Sequence, residues 1–526
     1  MAGAADLPRR LRFDARLGGA LLSGGLAQQA FPLVDLGFLA WVALVPLLAA
    51  LRNVSPSRGM RLGLAQGMIF YTGLLYWIPN VMATYGGLPW SVSLGVWAVL
   101  VLVLSLFHAA FGATQAWLFA RLGDGALLAA PAAWVLLAEW LRVWPLGGFP
   151  WGFLGYTQHA AANIRQLAAL GGVYGLSFVI VAVNAAFVGA VPLPGRHGRS
   201  RRGWMAAATA LLVLLAAWTG GGVLRRSIPP GADPIPVAAI QGNVRQDEKW
   251  LAANRGAIER RELDLTQQVA EEARLVLWPE SSTPENLEES PLLRMRLQEI
   301  ARDSSVSFLI GSVHRLPAGG YTNSAFLVTP DGGLDGRYDK IHLVPFGEKV
   351  PLGRLLFFAR PLVKAVGRFV PGDDPSPLGG DLHLGGEDRP PTPFGVAICY
   401  EITYPTLVAK QVREGATFLT TITNDAWFGR SAAPEQHFAM AVLRAVESRR
   451  WLIRAANTGI SGIISPTGQV VTRTPLFETA LVEGTIRARR DLSLAARHPQ
   501  AVPKGCVILL AIAVSAAAAR GRRVDA

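Results

Sequence analysis

The chain has 526 residues, 51% of them hydrophobic and only 17% charged. Soluble proteins carry about 25% charged residues, so this composition excludes an ordinary soluble enzyme and points to membrane residence. A net charge of +13 would suit nucleic acid in a soluble chain, but these arginines lie mostly between apolar runs, where the positive-inside rule puts them, and no nucleic acid is expected.

Apolar runs of roughly spanning length occur near 17–34, 37–51, 62–80, 90–117, 126–144, 171–193 and 204–222, with an isolated run at 505–520. A bilayer needs about 20 residues of helix, fewer where the ends are anchored. The first two runs are short, and the first carries Gln28 and Gln29. A cleaved signal peptide is the alternative for it, since Arg9, Arg10, Arg12 and Arg16 precede a weakly apolar core. Against that, no small-x-small site leads into a soluble domain and a second apolar run follows at once.

Charge sets the topology. Arginines gather at the N-terminus, in the 2–3 loop (Arg52, Arg58, Arg61), the 4–5 loop (Arg121), the 6–7 loop (Arg196, Arg199, Arg201, Arg202) and the tail (Arg520, Arg522, Arg523). These fall on one side only if all eight runs are spans, which predicts eight transmembrane helices, both termini cytoplasmic and the stretch 223–504 on the far side. The expected organisation is a seven-helix region over 1–222, a linker at 223–234, a domain over 235–490, a tether at 491–504, the eighth helix at 505–520 and a tail at 521–526. The 5–6 connection carries Glu139, Arg142 and several tryptophans. It reads either as an interfacial aromatic belt or as a headgroup-binding surface beneath the far-side domain.

From 235 the pattern changes. IPVAAIQGNV (235–244), ARLVLWPES (273–281), FLIGSVH (308–314), TNSAFLVTPDG (322–332), FGVAICYE (394–401), ATFLTTITNDAWFG (415–429), WLIRAANTGISGIISPTGQV (451–470) and TALVEGTI (479–486) contain the strand signals. Charged helical stretches at 248–273 and around MRLQEIARDSS separate some of them, and PDG and PTG turns join others. This predicts a mixed sheet with helices outside it.

Three strand-end residues stand out: Glu280 after LVLWP, Lys340 in GRYDKIHLVPFGE, and Cys399 in FGVAICYE. The two cysteines, Cys399 and Cys506, form neither a disulfide framework nor a CxxC metal pattern, and no metal or cofactor is expected. A lone buried cysteine is most often a small hydrophobe. With a lysine to stabilise its thiolate and a carboxylate as base it becomes a nucleophile, but local sequence does not bring the three together.

The succession QGN (241–243), WPES (278–281), the lysine segment, CYE (399–401) and NDAWFG (424–429), followed by ANTGISGIISPTG (456–468), resembles the carbon–nitrogen hydrolase (nitrilase) superfamily. With seven spans before that domain and one after, essentially the whole chain resembles the bacterial apolipoprotein N-acyltransferase family. The fold implied is a polytopic α-helical membrane domain of eight transmembrane helices plus an α-β-β-α sandwich, nitrilase-like domain in the periplasm of a Gram-negative cell, attached to the inner membrane. The resemblance implies Glu280 as general base, Lys340 at the tetrahedral intermediate, Cys399 as acylated nucleophile and Glu348 as a second carboxylate positioning the group. It places the backbone N–H of Tyr400 beside Lys340 as an oxyanion donor. Glu401, Asn424 and Trp427 are expected either as wall and support residues or as ordinary packing.

The activity implied is acyl transfer. The donor is a phospholipid, with phosphatidylethanolamine expected, and the acceptor is the free N-terminal amine of a diacylglyceryl apolipoprotein. The partners are thus membrane lipid and lipoprotein, and the chain is expected to act as a monomer. The segment 350–370 alternates Leu, Phe and Val clusters with Arg354, Arg360, Lys364 and Arg368, which reads as an interfacial arm or as a helix packed on the domain. Two rivals remain: a membrane-attached amidase using the same three residues with water, and a transporter or receptor with a degenerate domain. The transporter would want ionisable residues in mid-span, of which there are few.

Overall fold

The computed structural model describes residues 14–190 and 201–524, apart from 230, 250, 332, 346, 350–368 and 387. Arg9, Arg10, Arg12, Arg196 and Arg199, and the amphipathic segment up to residue 368, lie outside the described residues.

The principal N-terminal helices are α1 (Ala15–Gln29), α2 (Pro56–Leu74), α3 (Trp90–Leu122), α4 (Ala168–Ala190) and α5 (Arg201–Arg226). Among the described residues four stretches are helical, long and apolar enough to cross a membrane: Trp90–Leu128, Ile164–Ala190, Gly203–Arg226 and Ala501–Arg520. The other four predicted runs differ from simple spanning helices. The first forms the 15-residue α1, and the second breaks into Gly37–Leu39, Ala40–Ala43 and Val45–Ala50, the last with Pro46 in its opening turn. The third starts earlier, at Pro56, because the Ser55 hydroxyl caps it by accepting the Arg58 N–H at 3.3 Å. It ends at Leu74, and Pro79 opens a separate helix, Ile78–Thr84, rather than bending the first. The run 126–144 becomes a chain of 3-10, α and π segments. Trp134, Val135, Ala138 and Glu139 there are buried, and irregular backbone at membrane depth is tolerated where protein covers it.

Close backbone approach holds α2 on α3. A Cβ on Gly63 would stand 2.2 Å from the His108 carbonyl oxygen, so glycine is required for the two helices to touch.

The second unit contains two sheets. Strands β1 (Pro234–Gln241), β2 (Leu275–Leu277), β3 (Ser307–Arg315), β4 (Tyr321–Val328), β5 (Leu334–Asp339) and β11 (Ala480–Arg487) lie in the order β11-β1-β2-β3-β4-β5. Strands β6 (Phe394–Ile398), β7 (Phe418–Thr423), β8 (Leu452–Ala456), β9 (Gly462–Ile464) and β10 (Val470–Arg473) lie in the order β10-β9-β8-β7-β6. The central strands β1-β2-β3 and β6-β7-β8 run parallel, and antiparallel strands flank them.

Alternation along each strand assigns the layers. Val237, Ala239, Leu275 and Leu277 meet Val396, Ile398, Ile422 and Ile453 in a core between the sheets. Their neighbours Ala238, Ile240 and Val276 point outward onto α6 (Arg255–Ala270) and α7 (Pro291–Ser304). Ala397 and Leu419 point the other way, onto α8 (Pro405–Arg413) and α9 (Ala433–Ser448). The result is an α-β-β-α sandwich. Strand β5 escaped the sequence reading because LDGRYD is polar and mostly exposed.

Helix α9 is buried along nearly its whole length, as a helix with partners on two sides must be. Phe438, Ala441 and Val442 face the sheet, while Met440, Leu443 and Val446 join the core of the membrane helices. The sandwich therefore sits on the helical region through one of its own outer layers. A last helix, α10 (Ala501–Val524), returns to that region, where Cys506 is buried as packing.

Candidate active site

Three strands of the sandwich end at one place. Glu280 follows β2, Lys340 follows β5, and Cys399 follows β6. The Glu280 side chain accepts at Oε1 from Lys340 Nζ at 3.1 Å and Asn323 Nδ2 at 2.7 Å, and at Oε2 from the Asn424 N–H at 2.8 Å. Glu348 accepts from the same two donors, Lys340 at 3.0 Å and Asn323 at 3.1 Å, and its other oxygen takes the Val344 N–H at 2.9 Å. One ammonium thus stands between two carboxylates, with Asn323 bridging them. Lys340 is 1% and Glu280 5% exposed.

The electrostatics follow from that packing. Burial alone would raise the Glu280 carboxyl, but Lys340, the Asn323 amide and Lys249 hold it below the ordinary carboxylate range. Burial alone would lower Lys340, but Glu280 and Glu348 hold it well above the ordinary lysine value. The Cys399 thiol is pushed up, first by burial and then by the Glu280 charge; Lys340 and the Thr423 hydroxyl pull the other way without prevailing. The lysine thus acts in the direction expected from the sequence but is outweighed. At neutral pH the site holds a protonated thiol beside an ionised Glu280, which is the arrangement for passing a proton from sulfur to carboxylate during attack.

Cys399 has φ 54°, in the left-handed region that side-chain-bearing residues rarely adopt. Such a turn costs of order 1–3 kcal/mol and persists where the surroundings over-determine it. Glu401 supplies one restraint. Its Oε1 accepts the Ile341 N–H at 2.7 Å and the His342 N–H at 3.0 Å, its Oε2 accepts the Ile398 N–H at 2.8 Å, and the Tyr338 hydroxyl lies 3.0 Å from both oxygens. Glu401 therefore ties the residue before Cys399 to the residues after Lys340, so it fixes the spacing of the site.

The remaining sequence-derived residues sort by contact. Asn424 holds Glu280 through its backbone, while its side chain bonds Gln246 at 2.7 Å and Asn457 at 2.9 Å. Tyr400 points its hydroxyl away from the thiol, onto the Gly148 carbonyl at 3.2 Å. Trp427 is half-buried and meets Tyr85 edge-on at 5.7 Å. Asn323 stands in the polar opening of β4, between Thr322 and Ser324, and nothing local in the sequence marks it as a site residue.

The site lies at the seam with the membrane helices. Tyr404 donates to the Gly147 carbonyl at 2.7 Å, Trp151 Nε1 to Gln436 at 2.8 Å, and the Tyr76 hydroxyl accepts the Ala432 N–H at 3.1 Å. Trp77 and Phe428 pack edge-on at 5.1 Å. The 5–6 connection is this docking platform: Trp151 and Phe153 are buried, whereas Trp144 at its rim is 61% exposed.

The model of the apolipoprotein N-acyltransferase N-terminal domain matches residues 23–186, and that of the carbon-nitrogen hydrolase matches residues 236–497. The chain is 39% identical over 519 residues to an apolipoprotein N-acyltransferase of Geobacter metallireducens, covering 95% of this chain and 94% of that one. It is 36% identical over 491 residues to the apolipoprotein N-acyltransferase of Azotobacter vinelandii, covering 90% of each. Among solved structures, Saccharomyces cerevisiae Nit3, of branch 10 of the nitrilase superfamily, aligns with 52% of this chain and 95% of its own at 17% identity and a TM-score of 0.38.

Proposed function

Because the chain belongs to the apolipoprotein N-acyltransferase family, a membrane branch of the nitrilase superfamily, we propose that it moves an acyl chain from a phospholipid to the N-terminal amine of a diacylglyceryl apolipoprotein through a thioester on Cys399. The observation that carries this reading is the join of the Glu280–Lys340–Glu348 cluster and the strained Cys399 turn to the seam with the membrane helices.

In the first half-reaction Cys399 Sγ attacks the ester carbonyl, phosphatidylethanolamine being the expected donor at its sn-1 chain. The thiol proton passes to Glu280, and Lys340 with the Tyr400 N–H stabilises the oxyanion. Collapse breaks the ester C–O bond, Glu280 returns the proton to the leaving alkoxide, and lysophospholipid departs. In the second half the amine attacks the thioester, gives a proton to Glu280, and the C–S bond breaks. The departing sulfur takes that proton back, leaving an amide and the free thiol. Glu348 holds Lys340 in place throughout.

The topology proposed with this mechanism is that expected from the arginines: eight spans, both termini cytoplasmic and the sandwich periplasmic, with domain limits as given above. Amine rather than water as acceptor is favoured by the docking of Tyr400 and Tyr404, directly after the nucleophile, onto the membrane-side loop at Gly147 and Gly148. A soluble amide hydrolase has no use for such a platform. The test is partition: purified protein in lipid nanodiscs is loaded from labelled phospholipid, then given buffer or a diacylglyceryl peptide with a free N-terminus. The peptide should discharge the label into an amide much faster than buffer does. Equal discharge by water would support the amidase instead.

A further inference from the structure

Next to the Cys399 backbone lies a second buried polar cluster that the mechanism does not use. His437, on α9, reaches the Cys399 carbonyl oxygen with Nε2 at 3.0 Å. Its Nδ1 lies 3.0 Å from Arg454 Nη2 and 3.2 Å from Asp425 Oδ1. Arg454 Nη2 also donates to Asp425 Oδ2 at 2.7 Å, and the Thr423 hydroxyl donates to Asp425 Oδ1 at 2.8 Å. His437, Asp425 and Arg454 are all fully buried.

The partners fix the tautomer. A carbonyl oxygen only accepts, so Nε2 carries the hydrogen; Nδ1 faces both the Arg454 guanidinium, which only donates, and the Asp425 carboxylate, which only accepts. Burial and then Arg454 push the imidazole down, against the opposing pull of Asp425 and the Cys399 carbonyl, so the ring is neutral with its one hydrogen on Nε2 and Nδ1 accepts from Arg454.

The peptide bond from Cys399 to Tyr400 is planar, so the Cys399 C=O and the Tyr400 N–H point in opposite directions along one rigid plate. Whatever holds the carbonyl also aims the N–H. We propose that His437 is a positioning residue: by donating to the Cys399 carbonyl it sets the orientation of the Tyr400 N–H toward the oxyanion and holds the left-handed turn at the nucleophile. This rests on the reading of Cys399 as the acylated nucleophile.

A further set of contacts links this restraint to the membrane helices. Trp151, in the 5–6 connection, stacks on the His437 ring at 5.7 Å and 27°. The adjacent Gln436 accepts from Trp151 Nε1 and donates to the Pro32 carbonyl at 2.8 Å and the Leu74 carbonyl at 3.3 Å. The start of α9 thus joins three membrane-side segments to the carbonyl of the nucleophile.

The test compares wild type with His437→Phe, which keeps the ring and its stack on Trp151 but has no donor, and His437→Gln, which restores an N–H. Full-length protein in nanodiscs is used, with two readouts: the rate of acyl-enzyme formation from phospholipid, and the rate of Cys399 alkylation by iodoacetamide, a reaction that forms no oxyanion. Deleting an oxyanion donor costs about 10²–10³-fold, so mis-aiming one should slow acylation about 10–100-fold in His437→Phe. KM should stay unchanged, alkylation should stay within about threefold of wild type, and His437→Gln should recover most of the loss. Acylation of His437→Phe at the wild-type rate would overturn the inference, as would parallel loss of both reactions without recovery in His437→Gln. Absence of an acyl-enzyme in wild type would instead sink the proposed function itself.

Discussion

Replacing Glu401 by glutamine keeps the shape of the side chain and changes one acceptor into a donor. With the new nitrogen at the Oε2 position it faces the Ile398 N–H; at the Oε1 position it faces two N–H groups, those of Ile341 and His342. The first placement is cheaper. It leaves one buried donor unsatisfied, about 1–3 kcal/mol, and turns two charge-assisted bonds into neutral ones, about 1 kcal/mol each. On the other side, burial has raised the Glu401 carboxyl from 4.5 to about 7, and removing that buried charge returns about 3 kcal/mol at pH 8. The terms nearly cancel there. The sign follows from linkage: a raised folded-state pKa gives stability that is full below the unfolded value of 4.5 and lost as pH climbs through about 7. Glu401→Gln should therefore melt close to wild type at pH 8 and below it at pH 5. Acyl-enzyme formation should fall about 100-fold or more at both pH values, because Ile398, next to Cys399, has lost its anchor to the Lys340 segment. Thermal melts at the two pH values and single-turnover acylation check this. Acylation within threefold of wild type, or an equal loss of stability at pH 5 and pH 8, would refute the reasoning.

Gly311→Ala should damage the site from behind, since its Cβ would stand 2.2 Å from the Pro279 oxygen and 2.7 Å from the Glu280 Cα; acylation is expected to drop about tenfold with KM unchanged, measured by single-turnover kinetics. Because Glu280 is held below the ordinary carboxylate range and Lys340 well above the lysine one, neither group should give a limb in the acylation rate between about pH 5.5 and 9. Discharge to the acceptor should rise until its α-amine is free, near pH 8; an acid limb near pH 7 in acylation that persists in Glu401→Gln would point to a different base. Gly63→Val should separate α2 from α3, where the space for a Cβ is taken by the His108 carbonyl, and lower the yield of folded protein in detergent, measured by size-exclusion chromatography.

The site residues readable in the sequence were those whose position breaks a pattern. Glu280, Lys340 and Cys399 each stand where a strand should give way to a turn, and the structure brings Glu280 and Lys340 into direct contact. Asn323, Asp425, His437 and Arg454 were not legible as site residues, because each meets its partner across the fold rather than next to it in sequence. The two sheets were legible as alternation, but β5 was not, since LDGRYD buries only Tyr338 and its other residues are polar, small or exposed. In the membrane region, hydropathy located the four long apolar helices among the described residues. It did not reveal that 126–144 is broken, because a segment covered for most of its length by protein is as apolar as one facing lipid.

The central claim is that Cys399 carries the acyl group. Wild-type protein incubated with phospholipid bearing a labelled acyl chain, quenched in acid and digested, should yield one acylated peptide, the one containing Cys399, with the label released by neutral hydroxylamine as a thioester requires. The Cys399→Ala protein should take up none, and the peptide containing Cys506 should stay unmodified. Label that survives in Cys399→Ala, or that resists hydroxylamine, would contradict the account.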